Sequence, residues 1–183
     1  MNVPNSLSLL RIALIPCFAV VFYLPFPWAR IAAAALFVLA ALTDWLDGYL
    51  ARRLGQTSKL GAFLDPVADK LMVATVLVLL LQSDPSVGLA LPVAVIIGRE
   101  ITVSALREWM AELGARGTVA VSSLGKVKTA AQMIAIALLI LRGTLEGIPV
   151  YDAGFVLLYV AAVLTLWSMV HYLRAAWPEL TRH

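Results

Sequence analysis

Four aspartates stand close together in a strongly apolar part of the chain. Asp44 and Asp47 are three residues apart, and Asp65 and Asp69 are four apart. At these spacings each pair lies on one face of a helix. A charged residue in the middle of a membrane-spanning helix costs roughly 2.5–3.5 kcal/mol on insertion scales. Four carboxylates in such helices therefore need a counter-charge.

The carboxylates themselves indicate what that counter-charge is. Oxygen donors with no histidine or cysteine beside them are typical of a site for a hard divalent cation such as Mg²⁺, Mn²⁺ or Ca²⁺. Two such cations would balance four carboxylates, and paired cations recur in phosphoryl-transfer chemistry. We therefore predict a dinuclear metal site whose ligands are Asp44, Asp47, Asp65 and Asp69.

Small residues accompany both aspartate pairs. Gly48 and Gly61 each lie four residues from an aspartate, and Ala51 is on the same stripe as Gly48. Because glycine inside a helix costs about 1 kcal/mol relative to alanine, we infer that these positions let a ligand or another backbone come close. Arg52 extends the stripe, where a guanidinium could meet a phosphate. The alternative is that the small residues only pack helices together.

The composition indicates what kind of chain must position these groups. Of 183 residues, 62% are hydrophobic and 14% are charged, against about 45–50% and about 25% in ordinary soluble domains. A disordered chain, a disulfide scaffold and a typical water-soluble enzyme are excluded. The single cysteine, Cys17, leaves the redox compartment open. A net charge of +3 gives no reason to expect a nucleic-acid partner.

Six apolar stretches approach the length of about 20 residues that a membrane-spanning helix needs. Proline, glycine and serine-rich turns separate them. They predict an all-α integral membrane protein with six transmembrane helices, formed as a single domain from residues 1–183. The stretches are 7–24, 29–49, 60–81, 88–109, 122–141 and 153–172.

The basic residues are divided unevenly between the two ends of these stretches. Of the 14 lysines and arginines, only Arg30 and Arg142 fall at the end opposite the chain termini. The positive-inside rule makes the basic end cytoplasmic. The four aspartates lie at that same end, so we expect a polar active site that faces the cytoplasm.

The segment 44–69 resembles the signature of the CDP-alcohol phosphatidyltransferases, D-x2-D-G-x2-A-R-x8-G-x3-D-x3-D, at all eight fixed positions. The opening PNSLSLLRI is similar to that family's N-terminal segment, usually P-N-x-L-T-x-x-R, with Ser8 in place of the threonine. The segments 99–114 and 121–133 are similar to bacterial members that use glycerol 3-phosphate as the acceptor.

This resemblance implies a dimeric enzyme of the bacterial inner membrane that uses Mg²⁺ or Mn²⁺. Its expected reaction moves the phosphatidyl group of CDP-diacylglycerol to glycerol 3-phosphate and releases CMP. Asp69 matches the position proposed in the family as the base that takes the alcohol proton. The residues expected to contact the CDP-lipid are Asn5, Gly48, Ala51, Arg52 and Gly61.

A phosphorylated acceptor needs a second anion site, and the candidates are Arg99, Arg107, Lys126 and Lys128. Arg99 and Arg107 are eight residues apart, about two helical turns, and so project from nearby sides of one helix. A basic set suits glycerol 3-phosphate better than neutral inositol or serine, and leaves inositol phosphate open. The competing role for these residues is topology or pairing with neighbouring glutamates such as Glu100.

Other functions stay open at this point. An acceptor such as inositol phosphate or phosphatidylglycerol would keep the family. A divalent-cation or proton-coupled transporter also carries intramembrane acids, but its polar residues should continue across the bilayer. Here the far halves of the stretches are almost wholly Leu, Ala, Val and Ile. A purely structural membrane subunit would leave the acidic site unexplained.

Overall fold

The computed structural model describes residues 3–54, 59–114, 123–145 and 148–180, without the side chains of 3–5, 45, 47–54, 59–60, 62, 123–126, 144–145, 148 and 179–180. This part of the chain forms six helices and one short antiparallel ribbon. The helices are α1 (Val3–Tyr23), α2 (Ala29–Leu54), α3 (Lys59–Ser83), α4 (Val87–Glu112), α5 (Ser123–Leu141) and α6 (Val150–Leu180). The ribbon pairs β1 (Thr144–Leu145) with β2 (Ile148–Pro149).

Each predicted apolar stretch corresponds to one of these helices, so the helical fold class is confirmed, with the ribbon as an unpredicted addition. Three helical segments in the described residues are long and apolar enough to cross a membrane: Ser6–Tyr23, Val87–Glu112 and Val150–Pro178. A fourth apolar segment, Val127–Leu141, is shorter. These segments support a membrane protein, whereas the count of six spans stays a prediction.

Local chemistry explains where α4 begins and ends. The hydroxyl of Ser86 accepts a hydrogen bond from the backbone N–H of Leu89 at 3.2 Å, which satisfies one of the N–H groups that a helix start leaves without a partner. The helix ends two residues before Gly114, whose φ of 75° is left-handed. Glycine is the usual residue at that position because it has no Cβ to clash.

The chain divides into two compact units. Unit 1 comprises Met1–Ser83 and Ile136–Tyr151, and unit 2 comprises Asp84–Ala135 and Asp152–His183. Unit 1 therefore contains α1, α2, α3, the last turns of α5 and the ribbon. Unit 2 contains α4, the first part of α5 and nearly all of α6. The expectation of a single domain stays a prediction.

In unit 1, α1 packs along both α2 and α3, which touch each other at few positions. Ser8 on α1 contacts Asp65 on α3, and Tyr23 at the end of α1 donates a 2.6 Å hydrogen bond to Gln82 at the end of α3. These two contacts make α1 and α3 parallel. The short connection 24–28 returns the chain, so α2 is antiparallel to both.

In unit 2, α4 and α6 run parallel and in close contact. Near the start of both helices, the Tyr159 hydroxyl donates a 2.7 Å hydrogen bond to the Gly88 carbonyl. Near their ends, Met110 of α4 and Ala176 of α6 belong to one buried apolar cluster. Polar residues lie between these two contacts, in the middle of otherwise apolar helices.

Candidate functional site

Asp44 and Asp65 lie at one end of unit 1, where α1 supplies a partner to one member of each predicted acid pair. On α2, Asp44 Oδ1 lies 2.8 Å from Nη1 of Arg11. On α3, Asp65 accepts a hydrogen bond from the Ser8 hydroxyl. Ser8 and Arg11 are three residues apart, so they share one face of α1. One helix thus orients a carboxylate from each of the predicted acid pairs.

The two members of the Arg11–Asp44 ion pair are buried to very different extents. The side chain of Arg11 is 1% exposed and that of Asp44 is 43% exposed. A guanidinium away from water is stable only when anions or hydrogen-bond acceptors surround it. Arg11 is therefore a fixed internal charge that holds Asp44, while Asp44 stays accessible from outside.

The structure describes only some of the other residues that are predicted at this end of unit 1. Asp69 follows Asp65 by one turn of α3 and is half-buried, and Gly61 is buried near the start of α3. The side chains predicted at Asn5, Asp47, Gly48, Ala51 and Arg52 lie outside the described residues. Within the described part, no three His, Cys, Asp or Glu side chains gather as a metal site. The dinuclear site therefore stays a prediction.

Ser8 and Arg11 contact these aspartates, although neither is among the predicted site residues. The pattern of basic residues predicts only a topological role for Arg11, and the family resemblance marks Ser8 only as a replacement for threonine. The signal that would have found them is the N-terminal segment itself, where a hydroxyl and an arginine are three residues apart. In a helix that spacing presents both groups to the same neighbours.

Unit 2 contains a cluster of charges in which two cations share one carboxylate. Nη1 of Arg99 lies 2.7 Å from Oε1 of Glu100, and Nζ of Lys128 lies 3.2 Å from the same oxygen. The side chains of Arg99 and Lys128 are only 10% and 5% exposed, and that of Glu100 is 27% exposed. The predicted alternative of pairing with a glutamate is thus observed for both cations.

Arg99 is held from α6 as well. Its Nη2 donates a hydrogen bond to the Ser168 hydroxyl at 3.1 Å, and its Cζ lies 5.8 Å from the centre of the Tyr172 ring. Its Nε is buried with no hydrogen-bond partner among the described residues. The unused N–H donor of Arg99, beside the ammonium group of Lys128, is available to an anion.

Further polar groups lie near this cluster along the same helices. Gln132 follows Lys128 by one turn of α5, and Thr165 precedes Ser168 by one turn of α6. Both are buried, and in the part of the chain that the structure describes, Oε1 of Gln132 and Oγ1 of Thr165 have no hydrogen-bond partner. Orphaned polar atoms in an apolar setting are costly, so their presence marks a polar interior in unit 2.

Two further residues are predicted to bind the acceptor substrate, and no described contact joins them to this cluster. Arg107 is exposed on α4, two turns beyond Arg99. The side chain of Lys126 lies outside the described residues. The structure therefore joins Arg99 with Lys128 and leaves the roles of Arg107 and Lys126 as predictions.

Comparison with known proteins shows what the chain is similar to. The model of the CDP-alcohol phosphatidyltransferase family matches residues 1–167. Three curated relatives are each named CDP-diacylglycerol--glycerol-3-phosphate 3-phosphatidyltransferase. The relative from Salmonella typhimurium strain LT2 is 57% identical over 179 residues, 98% of this chain and 97% of its own. That from Escherichia coli K12 is 56% identical over the same shares. That from Sodalis glossinidius is 55% identical over 185 residues, 100% of this chain and 99% of its own.

The Ser8 hydroxyl gives a test of how α1 supports the acid pairs. A hydrogen bond to a charged group contributes about 1.5–3 kcal/mol, and Ser8 is fully buried. Ser8→Ala should therefore lower the thermal midpoint of the detergent-purified protein by several degrees, about 2–4 °C per kcal/mol. Ser8→Thr keeps the hydroxyl and should unfold near the wild-type temperature. Equal midpoints for the alanine and threonine variants would contradict a stabilising role for this bond.

Proposed function

Since the chain belongs to the CDP-alcohol phosphatidyltransferase family, we propose that it transfers the phosphatidyl group of CDP-diacylglycerol to glycerol 3-phosphate. The products are phosphatidylglycerophosphate and CMP. The observation that carries this proposal is similarity over 98% of the chain to relatives named for that reaction, at 56% identity for the one from Escherichia coli K12. The acidic and basic clusters supply the chemistry that such a reaction needs.

The proposed reaction exchanges one bond at phosphorus for another. A hydroxyl oxygen of glycerol 3-phosphate bonds to the phosphatidyl phosphorus, and the bond from that phosphorus to the CMP oxygen breaks. Asp69 accepts the hydroxyl proton, and CMP leaves with the electron pair of the broken bond. Aspartate is too weak a base to ionise an alcohol beforehand. In a loose phosphoryl-transfer transition state it need accept the proton only late.

The four aspartates fit a divalent metal by the chemistry of their donors. Asp44, Asp47, Asp65 and Asp69 offer oxygen atoms only, the ligands that Mg²⁺ and Mn²⁺ prefer. We propose that they hold two such ions, which when bound would offset negative charge on the donor's pyrophosphate and on the departing CMP. Arg11 and Ser8 act on the carboxylates themselves, since partners of this kind fix the orientation of ligands.

The shared carboxylate of unit 2 supports a phosphorylated acceptor. Glu100 draws Arg99 and Lys128 to one oxygen atom, so two cations lie side by side where the helices are otherwise apolar. A phosphate group can accept from a guanidinium fork and an ammonium group together. We propose that Arg99 and Lys128 bind the phosphate of glycerol 3-phosphate, with Arg107 and Lys126 as further contributors.

The placement in the membrane is part of the proposal. Six spans, an active site on the cytoplasmic face of a bacterial inner membrane, and a homodimer are the arrangement that the family resemblance implies. Three long apolar helical segments and the uneven division of basic residues support the membrane and the orientation. The organisms of the similar proteins, all bacterial, support the compartment.

The reaction itself can be tested with purified protein. With Mg²⁺, CDP-diacylglycerol and glycerol 3-phosphate, the protein should release CMP and form a lipid with two phosphate groups, measured by chromatography and mass spectrometry. Removing the cation with EDTA should stop release, and added Mg²⁺ or Mn²⁺ should restore it. CMP release with inositol phosphate or phosphatidylglycerol, and none with glycerol 3-phosphate, would contradict the proposed acceptor while keeping the family.

The role of Asp69 can be separated from folding. Asp69→Asn should lower kcat by about 10²–10⁴-fold, the usual contribution of a general base, because the amide cannot accept the proton. Asp152→Asn removes an exposed carboxylate from the first turn of α6 and serves as the matched control with normal turnover. Circular dichroism should show the same helix content in both variants. Normal turnover in Asp69→Asn would rule out a proton-accepting role.

The acceptor site can be tested through Lys128. Losing a hydrogen bond between charged groups costs about 1.5–3 kcal/mol, so Lys128→Gln should raise KM for glycerol 3-phosphate by about tenfold to a hundredfold. The KM for CDP-diacylglycerol should stay near the wild-type value. Arg174→Gln, which removes an exposed positive charge late in α6, is the control. Equal changes in both KM values would indicate that Lys128 supports the fold and not the acceptor.

A further inference from the structure

Two arginines are not used by the proposed reaction. Arg30 and Arg142 are the basic residues that the sequence places at the end opposite the other twelve lysines and arginines. The positive-inside rule disfavours basic residues there. They are separated by more than a hundred residues in the chain, yet both belong to unit 1.

The structure places these two arginines at one end of unit 1, opposite the end where Asp44 and Asp65 lie. Cζ of Arg30 lies 4.5 Å from the centre of the Phe22 ring. Arg142 donates a 2.9 Å hydrogen bond from Nη1 to the Ser83 carbonyl, and its Cζ lies 5.8 Å from the Tyr151 ring. Phe22 and Ser83 are next to Tyr23 and Gln82, whose side chains are joined by a 2.6 Å hydrogen bond, so both arginines contact the same end of unit 1.

Neither arginine forms an ion pair with a carboxylate among the described residues. Nη1 of Arg30 is buried there without a hydrogen-bond acceptor. Arg142 is exposed and Arg30 is partly buried, so an anion from the surroundings can reach the guanidinium groups and accept hydrogen bonds from them.

The backbone at Arg142 indicates that its position is constrained. Its φ is 40°, in the left-handed region that glycine favours, although Gly143 follows directly in the sequence. A residue other than glycine persists there only when its surroundings hold it. The bond from its guanidinium to the end of α3 explains why Arg142 is held, because cations near a helix C-terminus are favourable. It does not explain why Arg30 is drawn to the same place.

Exposed aromatic residues mark the depth at which the pair lies. Tyr23, Phe26 and Trp28 are each more than half exposed at the turn between α1 and α2. Phe26 and Trp28 stack with ring centres 5.5 Å apart. Exposed tryptophan and tyrosine are typical of the boundary between lipid tails and headgroups. Arg30 follows Trp28 by two residues and so lies near the level of lipid phosphates.

From these observations we infer a second anion site, in which Arg30 and Arg142 together bind the phosphate of an anionic membrane lipid at the end of unit 1 opposite the aspartates. The guanidinium groups supply charge and paired N–H donors, which match phosphate oxygens. The site is separate from the proposed reaction, since it uses none of the residues assigned to donor or acceptor.

The test measures lipid that stays bound to the purified protein. Wild-type protein, delipidated in mild detergent, is titrated with dioleoyl phosphatidylglycerol and examined by native mass spectrometry. The variant Arg30→Gln/Arg142→Gln should retain one lipid fewer than the wild type at the same concentration. The variant Arg30→Lys/Arg142→Lys keeps both charges and should retain more lipid than the glutamine variant. Arg174→Gln loses one exposed charge elsewhere and should match the wild type.

Equal lipid retention in the wild type and the double glutamine variant would overturn the site. An equal loss of lipid in Arg174→Gln would overturn it as well. A parallel titration with inorganic phosphate distinguishes a soluble anion from a lipid: arginine-dependent stabilisation by phosphate, without arginine-dependent lipid retention, would overturn the lipid assignment. CMP release by the double glutamine variant should equal that of the wild type at saturating substrate, which keeps this test independent of the proposed reaction.

Discussion

A guanidinium buried among apolar helices is the constraint that organises unit 1. Arg11 is 1% exposed, so it cannot be solvated by water and must be surrounded by partners from the protein. It reaches Asp44 on α2, while Ser8 on the same face of α1 reaches Asp65 on α3. The position of α1 therefore determines how carboxylates from two other helices are presented. One carboxylate of each acid pair is thereby held by a partner on a single helix.

The same electrostatic requirement operates with the opposite sign in unit 2. Glu100 is the carboxylate that lets Arg99 and Lys128 remain among apolar residues. One negative charge thus stabilises two cations at the same time. Ser168 and Tyr172 hold Arg99 from another helix. Each unit thus contains charged side chains that are held by partners from another helix.

The helices could be predicted because a lipid environment imposes a simple rule. Apolar residues must continue for the thickness of the membrane, and turns need residues that break helices. The helix ends were less predictable. α2 continues to Leu54 and α6 to Leu180, several residues past the apolar stretches at 29–49 and 153–172. Backbone hydrogen bonds continue into polar sequence, so an apolar stretch indicates the part of a helix in lipid and not its full length. The ribbon next to α6 has only two residues in each strand and leaves no periodic pattern.

The sequence alone predicts the helical membrane fold, the pairing of acids at helical spacing and the clustering of basic residues at one end. These properties depend on neighbours within one helix, where the geometry is known in advance. No such rule gives the partners of Asp44 and Asp65, the contact of Lys128 with Glu100, or the contact of Arg142 with the end of α3. They join residues from different parts of the chain, and a charge that is buried in an apolar interior has few packings in which it meets a partner.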